Sequence, residues 1–245
     1  MKNVLITGAN KGIGFETARQ LLQHGYYVYL GSRSIEKGLA AVEKMKAEGL
    51  DQVEAISLDV TNDTSVEEAR QLIGSKSLWL DVLINNAGIN GGFPQSSLEA
   101  SVEQFKTVFD TNLYGVVRVT QALIDLLQKS TEPRIVNVSS SGSSLTLNSD
   151  PTWKYYSHKA ALYPSSKAAL NMYTIELAFQ LRDTPFKVNA VCPGFVATDF
   201  NGHRGTGTVQ EGGYRISKYA MIGNDGPTGK FIAEEYNPET GETPW

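Results

Sequence analysis

The feature of this chain that most restricts its fold is a repeated alternation. Short apolar runs, each closed by small or polar residues, are separated by stretches with helical periodicity. Val4-Leu5-Ile6 is closed by Thr7-Gly8, and Tyr26–Leu30 by Gly31-Ser32-Arg33. Val53–Leu58 is closed by Asp59, and Val82-Leu83-Ile84 by Asn85-Asn86-Ala87-Gly88. Ile135-Val136-Asn137-Val138 runs into a serine cluster, Val188–Val191 runs into Cys192-Pro193-Gly194, and Lys230-Phe231-Ile232 makes a short final run. Apolar runs bounded by turn residues read as buried strands. Between them lies a helix with Ile13, Ala18, Leu21 and Leu22 on one face, stopped at Gly25. Another runs from about Ser34 to Glu48 and ends at Gly49. Ser65-x-x-Glu68 has capping-box spacing and predicts a helix to about Ile73. Helical stretches also run from Ser101 to about Lys129 and from Pro164 to about Arg182, with proline well placed in a first turn.

Strands alternating with helices predict an α/β fold: a mostly parallel, doubly wound sheet of about seven strands, covered by helices on both faces. The 245 residues suit one domain over 1–245, and no repeat or linker divides them. Right-handed crossovers bring the strands' C-terminal ends to one edge, where ligands bind near the point at which strand order reverses. Every chemically suggestive motif here falls just after a strand.

Composition removes several function classes. The net charge is −4 and no long basic run exists, so no nucleic-acid partner is expected. The single cysteine, Cys192, allows no internal disulfide, which fits a reducing compartment. His24, His158 and His203 are too scattered for zinc-ligand spacing, so no metal is expected. No apolar stretch is long enough to span a bilayer, and no membrane partner is expected. Met1-Lys2-Asn3 leads straight into the first strand, so a targeting leader is not expected and cytoplasm is the simplest address.

The loop after the first strand reads Thr7-Gly8-Ala9-Asn10-Lys11-Gly12-Ile13-Gly14. Glycines let backbone approach a pyrophosphate closely, and the following helix offers free N–H groups and the positive end of its dipole. The spacing is G-x-x-x-G-x-G, not the G-x-G-x-x-G fingerprint. Taken alone, it also fits an ordinary strand–helix turn.

With its companions the loop says more. Thr7-Gly8-x-x-x-Gly12-Ile13-Gly14, Asp59-Val60, Asn85-Asn86-Ala87-Gly88, Asn112, Ser140, Tyr163-x-x-x-Lys167 and Pro193-Gly194-x-x-x-Thr198 span nearly the whole chain. In kind and order these resemble the motifs of the short-chain dehydrogenase/reductase family. Asn10-Lys11-Gly12-Ile13-Gly14-Phe15 is most similar to the NADPH-dependent carbonyl reductase branch. The resemblance implies a Rossmann-type fold, with Gly8, Asn10, Gly12, Ile13 and Gly14 in the cofactor loop. It implies Asp59, followed by Val60, at the adenine ring, and the Asn86-Ala87-Gly88 backbone along the cofactor. It places Val196 and Thr198, after Pro193-Gly194, at the nicotinamide carboxamide. Ser140 would polarise the substrate oxygen, Tyr163 and Lys167 would form the acid–base pair and also touch the cofactor, and Asn112 would help hold a water and Lys167 in a proton relay. A segment at about 198–220, rich in glycine, lies where the family covers its substrate, and its ordering on cofactor binding is expected. Family members often pair through the two long helices, here about 103–129 and 164–182, so a homodimer or homotetramer is expected.

Cofactor choice can be read from the second strand. Sites that prefer NAD place a carboxylate at its end, for the ribose 2′-hydroxyl. This strand ends Leu30-Gly31-Ser32-Arg33, with no acid, and a guanidinium can bind a 2′-phosphate with paired hydrogen bonds. Arg33, helped by Lys11, therefore predicts NADP(H).

A tyrosine needs help to exchange protons near neutral pH, because its free pKa is about 10. An ammonium four residues along a helix lies on the same face and lowers that pKa. The spacing occurs three times: Tyr155/Lys159, Tyr163/Lys167 and Tyr214/Lys218. The third falls outside the family order. A short gap after the serine would favour Tyr155, but Pro164 would cut its helix short, whereas Pro164-Ser165-Ser166-Lys167 opens a long helix from Tyr163. Ser139 and Ser141 compete with Ser140 if strand phase is misjudged by one. Trp153, Tyr155 and Tyr156 are read either as a wall for a bulky apolar or aromatic carbonyl substrate or as anchors of the 145–162 insertion. The reading that follows is NADPH-dependent reduction of a ketone or aldehyde, with Tyr163 as proton donor. Its alternatives are an NAD-dependent secondary alcohol dehydrogenase and a non-catalytic NADP-sensing regulatory protein.

Overall fold

The structure is a computed structural model and describes residues 1–245. Its centre is a seven-stranded sheet: β1 (Asn3–Ile6), β2 (Tyr27–Ser32), β3 (Val53–Ser57), β4 (Val82–Asn85), β5 (Arg134–Val138), β6 (Lys187–Val191) and β7 (Lys230–Ile232). The spatial order is β3-β2-β1-β4-β5-β6-β7, and every neighbouring pair is parallel. Leu5 pairs with Tyr29 on one side and Leu83 on the other. All residues of β4 and β5 are buried, as expected of strands covered on both faces.

One face carries α1 (Gly12–Gln23), α2 (Ile35–Ala47) and α8 (Val209–Ala220), which pack Ala18, Leu21, Val42, Met45 and Ile216 against Val4, Ile6, Val28 and Ile84. The other carries α3 (Asp63–Lys76), α5 (Gly115–Leu127) and α7 (Leu162–Gln180), packing Val66, Ile73, Val119, Leu123 and Ala178 against Leu5, Leu83, Ile135 and Val188. Strand order reverses between β1 and β4, which places the loops after both at the crevice where such folds hold ligands.

Gly25 stops α1 as the sequence suggests, at φ +79° with its N–H on the Leu22 carbonyl. Three expectations shift. Helix α3 begins earlier than the Ser65-x-x-Glu68 spacing implies, because Asn62 is the cap and accepts from the Ser65 N–H. The Ser65 hydroxyl instead accepts from the Asp59 N–H. The single helix read from Ser101 to Lys129 is interrupted: α4 (Val102–Phe109) passes into a π-helical turn, Asp110–Tyr114, before α5. Such turns insert one residue into a helix and tend to mark functional places; this one carries Asn112. Helix α7 starts two residues before Pro164, so Tyr163 lies in its first turn.

Between β5 and α7 the chain forms a short helix, α6 (Leu145–Ser149), and then turns without regular structure to Ala161.

Candidate active site

At the C-terminal edge of the sheet lies a cleft of about 1110 Å³. Every residue that the family resemblance or the second-strand argument assigns to catalysis or cofactor binding lines it, with the exception of Asn112.

One end is built for an anion. Gly8 has φ +63°, and a methyl group there would come within 3.0 Å of Ala87 Cα, so the turn after β1 closes against the turn after β4 only with glycine. Asn86 holds the two loops together by donating its side-chain amide to the Thr7 and Gly8 carbonyls, at 2.8 and 3.1 Å. The N-terminus of α1 is bare: Lys11 stands at the cap position with no side-chain cap, and no acid lies in the first turn. By contrast α2, α3, α4 and α8 are capped by Ser34, Asn62, Ser101 and Thr208, and each has an acid in its first turn. Free N–H groups and an uncompensated dipole facing a cleft suit a phosphate. Arg33 is exposed on the cleft, and Lys11 lines it with its ammonium 2.8 Å from Asp199. Asp59 accepts from both the Thr61 N–H and hydroxyl.

The other end holds the hydroxyl groups. Ser140 ends the extended segment after β5, and its Oγ accepts from the Gly142 N–H at 3.2 Å. Ser139 is turned away, donating to Asn171 Oδ1 at 2.6 Å. Ser141 directs its N–H to Cys192 Sγ. Ser140 is therefore the serine that faces Tyr163, and its hydroxyl pulls the phenol's pKa down. The balance still goes the other way: burial, with the neighbouring Cys192 adding, pushes Tyr163 above the ordinary tyrosine value.

That differs from the sequence argument, in which Lys167 lowers it. The lysine ammonium sits 5.8 Å from the Tyr163 ring centre and donates to the Val138 carbonyl at 2.7 Å. Burial brings Lys167 itself down to about 8. Asn112, fully buried in the π-turn, makes no direct hydrogen bond to Lys167, although both side chains flank Gly88. Its Oδ1 accepts from the Ile89 N–H, and its Nδ2 donates to the Ile89 carbonyl and to Ser166 Oγ at 3.0 Å, one residue from the lysine.

Sequence reading missed Asn171, four residues beyond Lys167 on the same face of α7. It accepts from Ser139 and donates to Ser143 Oγ at 2.9 Å, and Ser143 donates onward to the Ser140 carbonyl at 2.6 Å. The signal was available: the spacing continues the tyrosine–lysine register by one more turn.

The segment 198–220 divides in two. Thr198 to Arg204 contributes Thr198, Asp199, Phe200, Asn201, His203 and Arg204 to the cleft, with Phe200 edge-on to Tyr163 at 5.2 Å. The later part is α8, whose glycines serve packing against α1: a methyl group at Gly213 would stand 2.6 Å from Glu16 Cγ. Those glycines are explained by close approach rather than by mobility.

Comparison with known proteins gives the family. Residues 2–208 match the model of the family described as short chain dehydrogenase. The chain belongs to the short-chain dehydrogenases. Among its relatives, (+)-neomenthol dehydrogenase of Capsicum annuum is 33% identical over 93% of this chain and 94% of its own length. The structure of salutaridine reductase from Papaver somniferum superposes with a TM-score of 0.83, at 32% identity over 94% of this chain and 99% of that one. The NADPH-bound carbonyl reductase from chicken fatty liver superposes with a TM-score of 0.84, at 25% identity over 100% and 99% of the two chains. The neomenthol dehydrogenase alignment runs over 298 positions against the 245 residues of this short-chain dehydrogenase, so that relative carries segments with no counterpart here.

Proposed function

We propose that this short-chain dehydrogenase reduces a ketone or aldehyde to an alcohol with NADP(H), Tyr163 delivering the proton. One observation carries the reading: the Ser140 hydroxyl, the Tyr163 phenol and the Lys167 ammonium line the same cleft as the bare N-terminus of α1. A nucleotide-sensing protein has no use for that trio. The NADPH-bound carbonyl reductase neighbour supports both the cofactor and the direction.

The Gly8–Gly14 loop and α1 would hold the pyrophosphate, Arg33 the 2′-phosphate, Asp59 and Val60 the adenine side. Asn86, Ala87 and Gly88 would lie along the dinucleotide, with Pro193, Gly194, Val196 and Thr198 at the nicotinamide side. Bound there, NADPH supplies a hydride. The protein's share is the proton. A phenol held above its ordinary pKa stays protonated at neutral pH, the form reduction needs. Ser140 donates to the substrate oxygen and fixes it beside Tyr163. Lys167, still mostly charged below about 8, can resupply the proton.

Nothing acidic ends β2, which weighs against the NAD-dependent alcohol dehydrogenase. We further place the protein in the cytoplasm, consistent with its lone free thiol, and as a homodimer or homotetramer through α4, α5 and α7. No helix is long and apolar enough to cross a membrane.

The test is oxidation of NADPH and NADH against a panel of ketones, aldehydes and quinones, with wild type and Arg33→Asp. We expect turnover with NADPH, and a loss of NADPH preference of about 10- to 100-fold in the variant, the worth of one charge-assisted phosphate contact. An unchanged preference would remove Arg33 from the reading. Absence of turnover with tight NADPH binding would favour the sensing protein.

A further inference from the structure

The residue that joins two sides of the substrate end is absent from every motif above. Glu235 follows β7, in a turn of the C-terminal region. Its Oε2 accepts from the Phe195 N–H at 3.0 Å, in the loop after β6. Its Oε1 accepts from the Tyr155 hydroxyl at 3.0 Å and from the Lys154 ammonium at 3.3 Å, both in the irregular segment between α6 and α7. One carboxylate thus ties together two stretches that are distant in sequence and that each contribute to the cleft. Its side chain is only 22% exposed. Burial alone would raise its pKa, but the three donors hold it below the ordinary value, so it is an anion with its charge answered on the spot.

What Glu235 holds is an aromatic wall. Tyr155 meets Trp153 edge-on at 5.5 Å, His158 at 6.0 Å and Phe195 at 6.2 Å, and all four line the cleft. Trp153 and Tyr155 also line a second cavity of about 320 Å³, together with Glu235, Ser141, Leu147 and Tyr236. Trp153 and Tyr155 therefore border open space in both cavities, and packing alone does not hold Tyr155 in place. The tether does. Phe200, edge-on to Tyr163, lines the same cleft.

We infer that Glu235 is a specificity-determining positioning residue: by fixing Tyr155 and Phe195 it sets the width of the substrate end and selects uncharged, ring-bearing carbonyl compounds over small ones. The inference rests on the proposed reductase reading, because it assumes that the carbonyl substrate lies against this wall. Without the carboxylate, Tyr155 can rotate back into the side cavity and the slot widens. Glutamine keeps one acceptor oxygen for Phe195 and turns an amide donor toward the Tyr155 oxygen, so the tether survives in part.

The test uses the full chain with Glu235→Ala, Glu235→Gln and wild type, and two readouts. In the first, NADPH-dependent reduction of a fused-ring ketone is compared with that of butanone. We expect Glu235→Ala to lower kcat/KM for the ring ketone about tenfold more than for butanone, carried by KM rather than kcat, with Glu235→Gln restoring most of it. An equal loss on both ketones, or a loss carried by kcat alone, overturns the inference. The second readout needs no turnover: amide hydrogen exchange should quicken in both 150–160 and 193–197 in Glu235→Ala, with α7 and the sheet unchanged. Unchanged protection in those two stretches overturns the tether even where the ketones react. Absence of ketone reduction in wild type, with the exchange result as expected, would fault the reductase reading and not the tether.

Discussion

Tyr163/Lys167 and Tyr155/Lys159 have the same spacing and opposite fates. The first pair lies at the start of α7, its lysine buried and bonded to the Val138 carbonyl. The second lies in turns. There Lys159 sits 3.9 Å from the centre of the Tyr156 ring and donates to the Asn148 carbonyl, while Tyr155 donates to Glu235. An i, i+4 interval carries geometry only where the backbone is helical. Off a helix, the same letters describe two residues with separate partners. The third copy makes a related point: Tyr214 and Lys218 share α8, yet Lys218 is paired with Glu234 at 2.6 Å and neither residue lines the cleft.

The contrast can be sharpened by removing one group at a time. The largest effect is expected from Tyr163→Phe, a fall in kcat/KM of about 10³-fold with NADPH affinity kept within a few-fold, since general acid catalysis contributes about 10²–10⁴. Lys167→Met should follow at about 10²-fold. It also tests the proton supply: a lysine titrating at about 8 gives up its proton as pH rises through that value, so wild-type reduction should decline above about 8. In the methionine variant that decline should vanish, and a profile that keeps it would assign the inflection to another group. Asn171→Leu, which breaks the chain through Ser143 to Ser140, should cost about tenfold in kcat with little change in KM, as small misplacements of reacting groups do. Smallest of all, Tyr155→Phe and Lys159→Met should each leave kcat within about threefold, because neither lies on the proton path; a collapse in Tyr155→Phe would reverse the comparison.

Much of this was legible in the letters, and unevenly so. The strands were readable because a parallel sheet buries both faces and so requires continuous apolar runs. Most cleft motifs were readable because they sit where a strand stops, and Tyr163–Lys167 because its spacing opens a helix. The start of α3 was not: Asn62 and Ser65 are both good caps, and which one caps depends on the Asp59 N–H, which claims the Ser65 hydroxyl. The π-turn at Asn112 left no periodic trace, since one inserted residue shifts the pattern by less than a turn. Gly212 and Gly213 looked like a flexible loop, because a close helix–helix approach and a mobile segment call for the same residue. Glu235 acts through partners that meet only in space, whereas Asn171 left one sign, its place a turn beyond Lys167.

The bare end of α1 has a consequence for the lifetime of the protein. A helix that leaves its first N–H groups for a visitor is completed only when the visitor arrives. Binding confined to the folded form adds about 2.7 kcal/mol when the ligand stands at a hundredfold excess over its Kd. The fraction of chains open to proteolysis then follows the supply of dinucleotide, and the abundance of the protein tracks that supply.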